Sequence, residues 1–319
     1  MPKEVLNKAN TDARKGPAEV YCTLTDLVAL QYEANGFSFL PKYAVQSVLS
    51  GRHRSRLRGR GLDFDEVRKY IPGDDIRNID WKVTARVGVT HTKEFTEEKE
   101  RPVLLVVDQS SSMFFGSKKY LKSVIAGHMA ALAAWRVLDV GDRVGGIIFN
   151  DEQMEMIWPK RNRKTVQQLL SRVAHFNQSL KAVKPKNTEK NALNKALHQA
   201  AQSCGHDYLV TVMSDLREYD ERSLRLMTQI KRSNDLIIGW VQDPAEAQLS
   251  KDSIVLTDGM YQTKLGKGKR LRTSYNAEYT RQKEKIKLDL KKYGIPCFDI
   301  DTETEAAVQL RELIHPSRG

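Results

Sequence analysis

Val103 to Val107 is an unbroken apolar run that stops at Asp108. A strand with one wet face alternates apolar and polar residues, so an unbroken run demands cover on both faces. Val144–Phe149 reads as another buried strand, and Tyr208–Met213, Leu236–Val241 and Pro296–Ile300 read as further strands. Between these runs lie stretches with helical spacing: Ser117–Leu138, closed by Gly141, then Thr165–Ala174, Ala192–Ala201, Ser223–Ile230 and the charged Tyr275–Tyr293. Strands separated by helices are joined by crossovers, and crossovers make parallel sheets with helices on both faces. The expected fold class is therefore α/β, a doubly wound and mostly parallel sheet.

Upstream of Arg101 the pattern differs, which predicts a smaller N-terminal region over 1–100 and the α/β domain over 101–319. Leu24–Leu30 reads as a helix with Thr25 and Asp26 as caps, Pro72-Gly73 as a turn, and Val83–Glu97 as short antiparallel strands. Gly266–Arg272 reads as a basic loop, or as a hairpin with Met260–Leu265. In Gly51–Arg60 the arginines Arg52, Arg54, Arg56, Arg58 and Arg60 fall on every second residue, so an extended chain presents all five on one side.

Lysine and arginine number 52 against 40 acidic residues, a formal charge of +12 that permits an acidic protein, nucleic acid or an anionic surface as partner. Aromatic rings do not interleave with the basic tracts as they do in single-strand binders, which disfavours nucleic acid. No apolar run approaches the roughly 20 residues of a membrane-spanning helix, and Met1–Gly16 lacks the apolar core of a secretory signal. The 3 cysteines are far apart, so disulfide and zinc frameworks are disfavoured and a cytoplasmic location is expected.

Ligands of open parallel sheets collect beyond the carboxyl ends of the strands. Two such ends carry oxygen-rich residues: Asp108 with Ser110 and Ser112, and Ser214 with Asp215. An all-oxygen set of this kind suits a hard cation such as Mg2+. Equally, Asp108 and the serines could cap the following helix while Asp215 starts another. Enzymatic readings find little support. There is no phosphate-cradling Gly-x-x-x-x-Gly-Lys-Ser/Thr loop and no Gly-x-Ser-x-Gly elbow. The residue two beyond Asp108, where a phosphatase carries its second aspartate, is Ser110, and the 7 histidines show no metal-ligand spacing.

Val103–Met113, a strand followed by Asp-x-Ser-x-Ser-Met, resembles the first element of the metal-ion-dependent adhesion site of von Willebrand factor A domains, and Ser214-Asp215 resembles its last. The helix Leu193-Asn-Lys-Ala196-Leu197 matches the one after that site's threonine, a position filled by Asn191, with Thr188 three residues earlier. The block from Gly61 to Trp81, with Pro72-Gly73-Asp74-Asp75 and Asp80-Trp81, followed by Ala85-Arg86, resembles the bacterial family called domain of unknown function 58. The resemblance implies a non-enzymatic interaction module that works with a MoxR-type AAA+ ATPase on a client protein, as adaptor or co-chaperone in complex assembly or metal insertion. It implies a Mg2+ site of Asp108, Ser110, Ser112 and Asp215, with Thr188 or Asn191 as the remaining ligand, open to a partner carboxylate. A metal-assisted hydrolase using the same pocket is the alternative from another class. An anionic-polymer binder using the arginine tract is a third.

Overall fold

The structure, a computed structural model, describes residues 20–34, 62–97, 101–181, 191–247, 255–257, 262–264 and 269–314. Two compact units divide the chain: Met1–Pro41 together with Arg101–Gly319, and Lys42–Glu100. The N-terminal region expected over 1–100 is therefore not one piece. Helix α1, Leu24–Ala29, belongs to the larger unit. Its Leu27 is buried, Trp135 donates its indole N–H to the Leu27 carbonyl at 3.1 Å, and the Cys22 N–H donates to Asn177 at 2.8 Å. The cap of α1 is Thr23, in a reciprocal capping box with Asp26, rather than Thr25.

The smaller unit is built on strand β1, Leu62–Lys69, paired antiparallel with β2, His91–Glu97. Between them lie the Pro72-Gly73 turn, with Gly73 at φ 107°, and helix α2, Trp81–Val87. Val83–Glu97 is thus helix before it is strand. Asp80 caps α2 by accepting from the Lys82 and Val83 N–H groups, and Gly88 ends it in the left-handed conformation. Asp74 accepts the Ile71 N–H and a two-pronged contact from Arg68 at 2.7 and 3.0 Å, while Asp75 accepts the Arg77 N–H. These acidic residues serve as local caps and turn anchors.

In the larger unit, β3 (Pro102–Asp108) leads through α3 (Lys122–Asp139) to β4 (Arg143–Phe149), β5 (Met154–Lys160) and α4 (Arg163–Ser179). There follow α5 (Ala192–Ser203), β6 (Leu209–Ser214), α6 (Glu221–Lys231), β7 (Asp235–Gln242) and the short α7 (Pro244–Ala247). A small antiparallel pair, β8 (Val255–Thr257) and β9 (Gln262–Lys264), precedes α8 (Lys269–Lys292), β10 (Cys297–Asp301) and α9 (Ala306–Ile314). The tract read as a basic loop, Gly266–Arg272, is in part the first turn of α8, and the partner of β9 is upstream of it.

The main sheet has the order β10-β7-β6-β3-β4-β5, parallel except for β5 at the edge. Alternate residues of β3 face opposite layers. Val103, Leu105 and Val107 pack with α1, α3, α4 and α9; Leu104 and Val106 pack with α5, α6 and α8. Each such side chain contributes about 1.5–3 kcal/mol by leaving water, which is why the unbroken run needs both layers. Strand β5 was not expected, because an edge strand with exposed Met154, Trp158 and Lys160 lacks a continuous apolar signal. Helix α3 begins at Lys122, not Ser117, because the preceding loop is held by side chains at the sheet's carboxyl edge.

The β4–β5 register shifts between Val144 and Gly146. There β5 crosses so close that a Cβ on Gly145 would lie 2.3 Å from the Ile157 carbonyl oxygen and 2.6 Å from the Pro159 nitrogen. Gly145→Ala must move backbone, and we expect a loss of about 1–3 kcal/mol, read as a lower urea midpoint with an unchanged m-value. An unaltered midpoint would mean the edge strand is free to shift.

Candidate functional site

After β4 and β5 the chain returns to the other side of β3, so the sheet's connections diverge between β3 and β6. Crevices open at such points beyond the carboxyl ends. Asp108 ends β3 and is 3% exposed. One of its oxygens accepts the Ser110 N–H at 2.9 Å and the other accepts the hydroxyl of Ser214, at the end of β6, at 2.5 Å. The Ser110 and Ser112 hydroxyls lie 3.2 Å apart, and the Ser112 side chain is near enough to Asp215 to help lower its pKa. Asp108, Ser110, Ser112 and Asp215 are thus brought together.

Asn191 is not part of this cluster. It adopts φ 66° and caps α5, accepting the Asn194 N–H at 3.0 Å and donating to Asp220 at 2.8 Å. Thr188 and the five arginines Arg52, Arg54, Arg56, Arg58 and Arg60 lie outside the described residues.

The loop from Gln109 to Leu121 is pinned along its length. Ser111 donates its N–H to Asp151 at 2.6 Å, and Ser117 donates its N–H and hydroxyl to Asp243 at 2.7 and 2.6 Å. Thr302 adds its hydroxyl to Asp243, while buried Gln109 donates to the Ser123 carbonyl at 2.9 Å. Phe115 remains 37% exposed on this fixed loop.

Sequence reasoning passed over Lys122, whose side chain is 0% exposed. Its ammonium lies 2.8 Å from Asp215 and 2.5 Å from Glu246 on α7. A signal existed: Lys122 shares the helical face of Ala126 and Met129, so α3 had to carry it toward the core. Burial works against the charge on Lys122, but Asp215 and Glu246 outweigh it and raise its pKa. Burial likewise works against the Asp215 carboxylate, but the ammonium holds its pKa below the ordinary range. Asp108, with no cation against it, is pushed up to about 7 by burial and then by the charge of Asp215.

Magnesium requires about six oxygens in a near-octahedral shell. Here both Asp108 oxygens accept hydrogen bonds, and Asp215 accepts from the Arg217 N–H and from Lys122. Among the described residues no group of three or more His, Cys, Asp or Glu side chains could hold a metal ion. A fixed ammonium on the second carboxylate repels a dication, so the residues present do not fit the expected Mg2+ site. The serines' partners are one another and the carboxylates of Asp108 and Asp151.

The fold and site together define a doubly wound α/β protein with an aspartate–serine cluster at its central strand ends. The family described as "Protein of unknown function DUF58" matches residues 66–285, more than half of the chain, which therefore belongs to it. Uncharacterized proteins of Mycobacterium tuberculosis and Mycobacterium bovis are 33% identical over 138 residues, 43% of this chain and 44% of theirs. The match thus spans less than half the length of these curated relatives. Among solved structures, the SpRpn10 VWA domain overlaps 69% of this chain and 96% of its own at 11% identity and TM-score 0.35. The manganese-loaded Plasmodium vivax TRAP protein overlaps 67% of this chain and 73% of its own at 13% identity and TM-score 0.34.

The Asp108 carboxyl has a pH consequence. Its folded pKa of about 7 exceeds the ordinary 3.8, so the native state holds this proton more tightly than the unfolded chain. Its contribution to stability is full below the unfolded value and is lost as pH rises through the folded one. In chelator-treated buffer, melting temperature should fall between about pH 5 and pH 8 by more in the wild type than in Asp108→Asn. Parallel pH profiles for the two proteins would contradict this account of the buried carboxyl.

Proposed function

We propose that this chain is a non-enzymatic protein-interaction module that acts as an adaptor between a MoxR-type AAA+ ATPase and a client protein. The observation that carries the reading is the pinned loop Gln109–Leu121, which holds Phe115 exposed at the carboxyl edge of a rigid sheet. Recognition residues are typically borne on loops fixed by a scaffold, and an aromatic side chain fixed in advance loses little entropy on docking. The serine cluster beneath has its hydroxyls bonded to carboxylates and to each other, which supports a structural role over turnover. The ATPase itself is inferred from the resemblance of the Gly61–Trp81 block. Among the described residues no helix is long and apolar enough to cross a membrane.

The test is co-purification of the full chain with the AAA+ ATPase from the same source. Phe115→Glu should weaken the complex at least tenfold when binding is measured well below the variant's own melting temperature. Purified chain with ATP and Mg2+ should release phosphate no faster than buffer, for want of a γ-phosphate cradle. Sustained release that follows the protein through a second column would sink the non-enzymatic reading, and no complex with the ATPase would sink the adaptor role.

A further inference from the structure

Lys122 stands at the first position of α3, where the helix dipole disfavours a positive charge, and its side chain is wholly out of water. An unpaired ammonium there would be strongly unfavourable, yet the surrounding chain is arranged to receive it. Asp215 is fixed by the Trp240 indole, which donates to its carbonyl at 2.8 Å, and by the Arg217 N–H on its carboxylate at 3.0 Å. Glu246 is fixed by the Asp243 N–H at 3.3 Å, and Asp243 also anchors the Ser117 end of the loop. The Phe115 ring lies 5.7 Å from the ammonium, within cation–π range. Three separate segments thus meet on one nitrogen: the Phe115 loop running into the start of α3, the end of β6 and α7.

We propose that the Lys122 ammonium is the resident cation of this site, taking the charge-balancing place of a divalent metal, so that the strand-end cluster assembles and works without one. A metal would have to compete with a covalently tethered cation already seated against Asp215. Because the tether keeps the ammonium at the site, the cluster stays closed whatever the concentration of divalent ions. Partner binding by this chain is then independent of divalent cations, a consequence that rests on the interaction reading above; the charge balance itself does not.

The experiment uses the full chain and Mn2+ or Mg2+ alone. Wild type should leave the paramagnetic signal of free Mn2+ undiminished at millimolar metal, and its melting temperature should be the same in Mg2+ and in chelator. Lys122→Met and Asp215→Asn should each lower the melting temperature, and the double variant should lose clearly less than the sum of the two, since Lys122→Met leaves buried Asp215 without its cation and Asp215→Asn leaves the buried ammonium with Glu246 alone. Any complex formed with the ATPase should survive chelator. Stoichiometric Mn2+ binding that vanishes in Asp108→Ala overturns the proposal, as do additive losses in the double variant or a chelator-sensitive complex. If Lys122→Met does not fold, the wild-type Mn2+ titration still decides. Absence of any ATPase complex counts against the adaptor role only, because the metal and stability measurements need no partner.

Discussion

One ammonium, buried against two carboxylates, organises the carboxyl edge of this sheet. Removing Lys122, Asp215 and Glu246 from water costs several kcal/mol per ion before any attraction is counted. That cost is offset only when each charge has a fixed partner, and the segments around the ammonium are correspondingly fixed. The pair also explains the unequal fates of the two aspartates. Asp215 meets the cation, which holds its pKa below the ordinary range, whereas Asp108 is pushed upward by burial and by the charge of Asp215, against the lowering effect of its serine and backbone N–H hydrogen bonds.

The same constraint spreads through Asp243. Its carboxylate collects Ser117, Thr302 and the Ala245 N–H, tying the loop before α3 to β10 and to the turn that carries Glu246. Within the layer that contains α3, Gln109 joins Asn177, and Asn177 joins the Cys22 backbone, so residues near the start of the chain are hydrogen-bonded into the same end of the sheet. These groups are buried and satisfied, the condition under which a polar network specifies geometry rather than destabilising it. A loop held in this way can present Phe115 in one shape.

The smaller unit is held differently. Beside the β1–β2 ladder, its acidic side chains make local hydrogen bonds: Asp74 to Arg68 and Ile71, Asp75 to Arg77, Asp80 to the start of α2. Local caps order a short segment without a large core, and here Ile71, Ile76, Trp81 and Val87 remain exposed. The larger unit relies instead on two apolar layers over a shared sheet, where contacts between residues far apart in sequence dominate.

Patterns carried by consecutive residues are legible in the amino-acid order alone. The apolar strands, the helices between them, the doubly wound class and the convergence of Asp108, Ser110, Ser112 and Asp215 all follow from periodicity and from the rule that sites form at strand ends. Edge strand β5 escaped because one neighbour and a wet face leave no periodic apolar signature. Helix α2 escaped because the Asp80 and Gly88 caps override the strand preference of its valines. Asn191 matched a ligand position in the order of residues, but its left-handed backbone turns it into a cap bonded to Asp220. Lys122 looked like an ordinary lysine at a helix start, because the two carboxylates that hold it come from positions 215 and 246. Local propensity is written in neighbouring residues and can be read from them; the partner of a buried charge is chosen by the packing of distant segments, and only the tertiary structure decides it.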